Sequence, residues 1–147
     1  MAGTLWLPPA VRERIVDRAR EGAPEEVCGV LGGRRTADGD PTVAVERADP
    51  VPNVASAPRT TYELDPAAQL EAMRGVEAEG LTVVGFYHSH PEGPRRPSAT
   101  DEARATWPGR SYLIVALDGP EPSVGSWRWT GERFVEERVR VGDGPSA

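Results

Sequence analysis

Apolar residues recur along this chain with two different periods. Val11, Ile15, Val16 and Ala19 follow at helical spacing after Pro8 and Pro9, which suit a helix entry, and they predict a helix to about Arg20. Ala67, Leu70, Met73 and Val76 predict a second helix with these four residues facing inward. Asp65-Pro66 opens it as an N-cap followed by proline at the first helical position, and Gly80 closes it after about Glu79. Elsewhere the apolar positions fall in short runs. Thr4–Leu7, Glu26–Gly32, Thr42–Glu46, Leu81–His90, Ser111–Leu117, Ser123–Thr130 and Arg133–Val141 read as strands. Asp38-Gly39 predicts a hairpin turn within Gly32–Pro41, and Thr130-Gly131 predicts another between the last two strands. Residues 49–59, with three prolines, read as a loop, as does Pro91–Pro97. A short helix runs from Ser98 to about Thr106 and stops before Pro108.

Strands and helices alternate, yet hairpins also occur. The order therefore predicts an α/β (α+β) fold with a mixed sheet flanked by helices. The chain has no internal repeat and no dividing linker, and its 147 residues suit one domain over residues 1–141. Residues 142–147, Gly-Asp-Gly-Pro-Ser-Ala, read as a flexible tail.

Composition narrows the function classes. Sixteen glycines and fifteen prolines stay below the ~25–30 % that marks low complexity, so the chain buries a core. The formal net charge of −6 argues against a nucleic-acid binder, which needs a basic face. All 17 basic residues are arginine, so no lysine side chain is open to modification. Cys28 is the sole cysteine, which excludes an intramolecular disulfide. The N-terminal segment lacks the basic start and apolar run of a signal peptide, and no stretch is long enough to cross a bilayer. The expected location is the cytoplasm, away from membranes. Nothing in the sequence sets the oligomeric state.

Candidate chemistry lies in two short segments. The protein's two histidines, His88 and His90, stand two apart, and on a strand they share a face with Val84 and Phe86. Neutral imidazoles suit zinc, whose catalytic sites keep three protein ligands and one water. Asp101, eleven residues beyond His90, is the nearest third ligand, and the prolines between them lower the entropy cost of bringing it back. Ser98-Ala99-Thr100-Asp101 is equally the pattern of a helix capping box, and the two roles are compatible. The histidine pair alone also fits an exposed strand end. The second segment is Pro24-Glu25-Glu26-Val27-Cys28-Gly29. Its acids fit a solvated strand start and Cys28 a small buried hydrophobe, and pattern alone does not select Glu26.

Taken together, Pro24, Glu26, Cys28 and Gly29, then His88, His90, Ser98 and Asp101, resemble the motif of the JAMM (MPN-plus) zinc metalloproteases at every spacing. His90-Pro91 matches as well, and the likeness spans about residues 8 to 130. The segment from Asn53 through Thr61-Tyr62-Glu63-Leu64-Asp65-Pro66 looks like the compact bacterial branch of that family. The resemblance implies a mixed sheet related to the cytidine-deaminase fold. It implies one zinc ion per chain held by His88, His90 and Asp101, with Glu26 as general base and Ser98 as oxyanion donor. It implies hydrolysis after the C-terminal Gly-Gly of a ubiquitin-like protein, with release of cysteine from a ubiquitin-like sulfur carrier as the leading expectation. Arg95 and Arg96 border that site in a loop that reads as solvated surface.

Two alternatives remain within the family: an isopeptidase acting on lysine-linked modifiers, and a non-catalytic MPN interaction module. Modules of that kind usually lose the histidines or the aspartate, which this chain keeps. A base deaminase expects His-x-Glu and Pro-Cys-x-x-Cys, and a chain with His90 after His88-Ser89 and one cysteine lacks both.

Overall fold

A computed structural model of the protein describes residues 3–36 and 41–144. The elements are β1 (Thr4–Leu7), α1 (Pro9–Gly22), β2 (Cys28–Thr36), β3 (Thr42–Val51), α2 (Pro66–Ala78), β4 (Thr82–His90), α3 (Ala99–Arg104), β5 (Ser111–Ala116), β6 (Ser123–Trp129) and β7 (Phe134–Val141). The mixed sheet curls into a closed barrel of order β1-β3-β2-β4-β5-β6-β7. Strand β1 runs parallel to both β3 and β7, β4 runs parallel to β5, and the other neighbours are antiparallel. A crossover containing α3 links the parallel pair β4 and β5, whose register sets His88 against Ile114 and His90 against Ala116.

The helix α1 buries the expected stripe, Val11, Ile15, Val16 and Ala19, against Leu5, Leu7, Val43 and Val45. Arg18 then reaches past it to donate to the carbonyls of Cys28 and Val51, tying α1 to β2 and β3. The Asp65 side chain accepts from the Ala68 amide, as an N-cap does, and Gly80 ends the segment after α2 at φ +76°. The inward stripe of α2 differs from expectation. Ala67 is exposed and Leu70 is 49 % exposed, while Ala68, Ala72, Met73 and Val76 pack on the sheet. Val76 sits directly over Gly32, where a Cβ would stand 2.8 Å from its methyl, so the helix docks through small residues spaced by four.

Two strands run longer than the sequence predicts. Strand β2 continues to Thr36, and the Asp38-Gly39 turn lies outside the described residues. Strand β3 continues through Pro50 to Val51. Its pairing with β1 ends at Ala44, so Pro50 lies on a free edge where its missing N–H costs no ladder bond.

Strand β4 is buried on both faces from Val83 to His90. Its alternation also breaks once. Leu31 pairs with Gly85 and Gly32 with Val83, which leaves Val84 unpaired in a bulge. Val84 therefore packs with Tyr87 in one cluster, whereas Phe86 belongs to the other, so Val84 and Phe86 do not share the predicted side. Gly142 at the end of β7 donates to the Leu7 carbonyl, and residues 145–147 of the expected tail lie outside the described residues. Among the described residues, no helix is long and apolar enough to cross a membrane.

Candidate metal centre

Four carboxylate and imidazole groups meet at one end of the barrel. The C-terminal end of β4 supplies His88 and His90, and the first turn of α3 supplies Asp101. Glu26 arrives from the segment just before β2, whose first residue, Cys28, pairs with His88. All four are at least nine-tenths buried. His88 Nε2, His90 Nε2 and Asp101 Oδ2 form a triangle with every side 3.1 Å. One ligand atom each from Glu26, His88 and His90 also lies within 4.8 Å of the others.

This triangle is chemically unusual unless a cation belongs inside it. The His90 Nδ1–H donates to the Pro94 carbonyl at 2.7 Å, so a neutral His90 turns the lone pair of Nε2 inward. That lone pair meets the acceptor oxygen of Asp101 and the Nε2 of His88 at the same distance. A single His88 proton satisfies one of those contacts and not both. Zinc bound at about 2.0–2.1 Å in a tetrahedron separates its ligands by roughly 3.3 Å, close to the spacing seen here. The donor set, two nitrogens and one carboxylate oxygen, is also one that zinc takes in catalytic sites. The residues present therefore fit a catalytic zinc ion.

Local hydrogen bonding explains why the sequence builds this triangle. The Ser98 amide donates to Asp101 Oδ2 at 2.9 Å, and the Asp101 amide donates to Ser98 Oγ at 3.0 Å. This is a complete capping box, and the inward oxygen of Asp101 is the one it uses. Both readings of Asp101 left open by the sequence pattern are therefore compatible with its geometry.

The electrostatics follow from burial. Burial pulls His88 below the ordinary imidazole range, which favours the neutral form that binds metal. Burial pushes Asp101 up, but the bonds from His88, His90 and the Ser98 amide together outweigh it and hold the carboxyl well below its usual range. Burial raises Glu26 to about 7, with His90 opposing and Asp101 adding to the rise, and its Oε1 has no hydrogen-bond partner among the described residues. Burial also pushes Cys28 up to about 12 while its Sγ donates to the Val51 carbonyl, so the thiol is packing and not a nucleophile.

A cleft of about 410 Å³ opens on this centre, lined among others by Glu26, Thr60, His90, Arg96 and Ser98. A larger cavity of about 590 Å³ lies against Tyr62, Phe86, Trp107 and Tyr112. Tyr62 belongs to that cavity and also stacks on His88, with ring centroids 4.2 Å apart and planes 21° from parallel. Sequence reasoning places Tyr62 only within a family-like segment and gives it no role. Its aromatic type, three residues before the Asp65 cap, is the sole local signal. The structure brings together all five site residues expected from the sequence, and Arg96 also lines the cleft.

A barrel with two histidines and an aspartate converging at the end of a buried strand, and a buried glutamate beside them, defines a JAMM-type hydrolase. Residues 8–130 match the family described as prokaryotic homologs of the JAB domain, and the chain belongs to that family. It is 47 % identical over 141 residues to a desampylase of Haloferax volcanii, covering 93 % of this chain and 96 % of the relative. It is 39 % identical to a probable TtuB-protein conjugate cleaving protease of Thermus thermophilus, covering 78 % of this chain and 72 % of that one. It is 35 % identical to a CysO-cysteine peptidase of Mycobacterium tuberculosis, covering 86 % and 84 %. The solution structure of a Desulfitobacterium hafniense protein matches with a TM-score of 0.84 and 35 % identity, covering 95 % of this chain and 94 % of the other. The names of two of these relatives describe a protease that cleaves TtuB-protein conjugates and a peptidase of CysO-cysteine.

Proposed function

We propose that this chain is a zinc-dependent peptidase that hydrolyses the bond after the C-terminal Gly-Gly of a ubiquitin-like protein. The observation that carries the reading is the triangle of His88, His90 and Asp101 with Glu26 beside it. His88, His90 and Asp101 hold one zinc ion. Zinc in such a site lowers the pKa of water to about 7 and polarises a carbonyl. Glu26 takes the proton of the attacking water as the carbon–oxygen bond forms, and returns it to the amine as the carbon–nitrogen bond breaks. Burial favours the protonated form of this carboxyl, which helps it carry the proton between the two steps. Ser98 Oγ accepts from the Asp101 amide, which leaves its own hydrogen to donate to the developing oxyanion.

Glycine adds no side chain beyond hydrogen, so a Gly-Gly tail threads a groove closed to other residues. Two leaving groups remain in view. Removal of a ubiquitin-like protein from a conjugate is the first, supported by the greater identity to the desampylase and to the conjugate-cleaving protease. Release of cysteine from a sulfur carrier is the second, supported by the cysteine peptidase at 35 % identity.

A mass-spectrometric cleavage assay tests the reading. Zinc-loaded protein, with Glu26→Gln as control, is offered a ubiquitin-like protein whose Gly-Gly is joined to a lysine side chain, and the same protein extended by cysteine. Cleavage of the first supports deconjugation, and cleavage of the second alone supports amino-acid release. If zinc is bound and neither is cut, the substrate class is wrong or a partner is needed, and the reading as a non-catalytic MPN module gains ground.

A further inference from the structure

Glu26 does not lie on a strand. Strand β2 begins two residues later, so no ladder fixes its backbone. Four bonds from other segments do. The Glu26 amide donates to the Pro58 carbonyl at 2.7 Å and the Glu26 carbonyl accepts from Asn53 Nδ2 at 3.0 Å, while the Val27 amide donates to Ser89 Oγ at 2.8 Å and the Val27 carbonyl accepts from the Ser89 amide at 3.0 Å.

Asn53 does more than hold Glu26. Its Nδ2 also donates to the Thr61 carbonyl at 3.1 Å, and its Oδ1 accepts from the amides of Ala55 and Glu63, each at 3.0 Å. The side chain thus uses both hydrogens and both lone pairs, with no capacity left over. One bond goes to the segment of the base, and three go to the loop that follows Asn53. Thr61 and Glu63 flank Tyr62, the ring stacked on His88. His88 Nδ1 is buried without a hydrogen-bond partner among the described residues. Among these residues no side chain or carbonyl holds this imidazole from behind, in contrast to His90 with its bond to Pro94. The face of Tyr62 takes that part.

We propose that Asn53 is the positioning residue of the site: it fixes Glu26 and the Tyr62 ring over His88 as a single unit. The inference rests on the reading of Glu26 as the base. Asn53 itself touches neither His88 nor the carboxylate of Glu26; it acts through the backbone on either side.

The test uses zinc-loaded full-length protein, two variants of Asn53, and Tyr62→Ala as the reference for a lost ring. Asn53→Ala removes all four bonds. Asn53→Asp keeps the acceptor bonds to Ala55 and Glu63 and loses both donated ones. The readouts are the imidazole proton shifts of His88 and His90 by NMR, and kcat and KM on a Gly-Gly conjugate. In Asn53→Ala the His88 resonances move toward those of Tyr62→Ala, while those of His90 stay near wild type. Its kcat falls about 10- to 100-fold, with KM within about threefold, as expected for a misplaced catalytic group. Asn53→Asp shows a similar loss of kcat with a smaller His88 shift, and it carries the test if the alanine variant does not fold. A residue that merely stabilises the fold lowers the melting temperature and leaves these readouts alone. A folded, zinc-loaded Asn53→Ala (or Asn53→Asp, should alanine not fold) whose His88 resonances or kcat stay at wild-type values overturns the assignment. If the wild type cuts neither a Gly-Gly conjugate nor a cysteine-extended Gly-Gly tail, the proposed function fails, and the NMR comparison alone decides the role of Asn53.

Discussion

Ser98 and Asp101 hold each other through two reciprocal bonds of 2.9 and 3.0 Å, and the Asp101 oxygen in that exchange is the one facing both histidines. A helix cap thereby aims the carboxylate proposed as a ligand. The short helix α3 has only six residues, too few to persist on propensity alone, so its cap and the centre depend on one another.

Asp101→Ala removes the proposed third ligand and half of the capping box. Elemental analysis of the purified variant is expected to show zinc near zero, with cleavage abolished. A fully loaded and active variant returns Asp101 to a helix cap alone.

Ser98→Ala separates the two duties of the serine. It retains zinc, loses about 1 kcal/mol of stability as an N-cap, and slows turnover on the order of 10²–10³ as a lost oxyanion donor does. Urea denaturation reads the first effect and kcat the second. A wild-type kcat removes the oxyanion role and leaves the cap.

Glu26→Gln is expected to retain zinc and lose hydrolysis, because the proposed base is not one of the three proposed ligands. Loss of zinc from this variant sinks the assignment of Glu26 as base.

The same substitution has a signature in stability. The carboxyl rises from 4.5 to about 7 on folding, so the folded state holds its proton more tightly than the unfolded chain. That contribution is complete below pH 4.5 and is lost as pH rises through about 7. The gap corresponds to roughly 3 kcal/mol, which the wild type forfeits at higher pH and glutamine does not. Chelator-treated wild type therefore weakens relative to Glu26→Gln between those two values. Urea denaturation across the range checks it, and a pH-independent difference between the two proteins contradicts it.

Gly29→Ala tests the glycine of the first motif as a packing position. A Cβ there would stand 2.3 Å from the Tyr87 ring and 2.4 Å from the Asp49 carbonyl. Backbone cannot yield as a flexible side chain does, so the cost is about 3 kcal/mol or more by overpacking. Thermal unfolding measures it, and a change below about 0.5 kcal/mol, the size of an ordinary surface substitution, refutes it.

What the sequence reveals follows how local each determinant is. The Asp65 cap, the α1 stripe and the spacing of His88, His90, Ser98 and Asp101 are short-range patterns, and they reappear in the structure at those positions. Ala67 and Leu70 misled because α2 carries apolar residues on more than one face, and only Gly32 across the gap selects the face of Val76. The bulge at Val84 is equally silent, since it depends on the register with β2. Asn53 and Tyr62 join segments distant in sequence through backbone carbonyls and amides, which leave no residue-type signal of their own.

The barrel is closed by its first and last strands, with Thr4 beside Arg138. Every residue of the candidate metal centre precedes β7 in the chain, and the last of them, Asp101, stands 33 residues before Phe134. A chain cut before β7 therefore carries the full set of candidate ligands while β1 and β6 present raw edges to their surroundings. Closure of the frame waits on a pairing of segments far apart in sequence, the kind that folds slowly. Such a truncation holds metal-binding groups and sticky strands together with nothing to cover them.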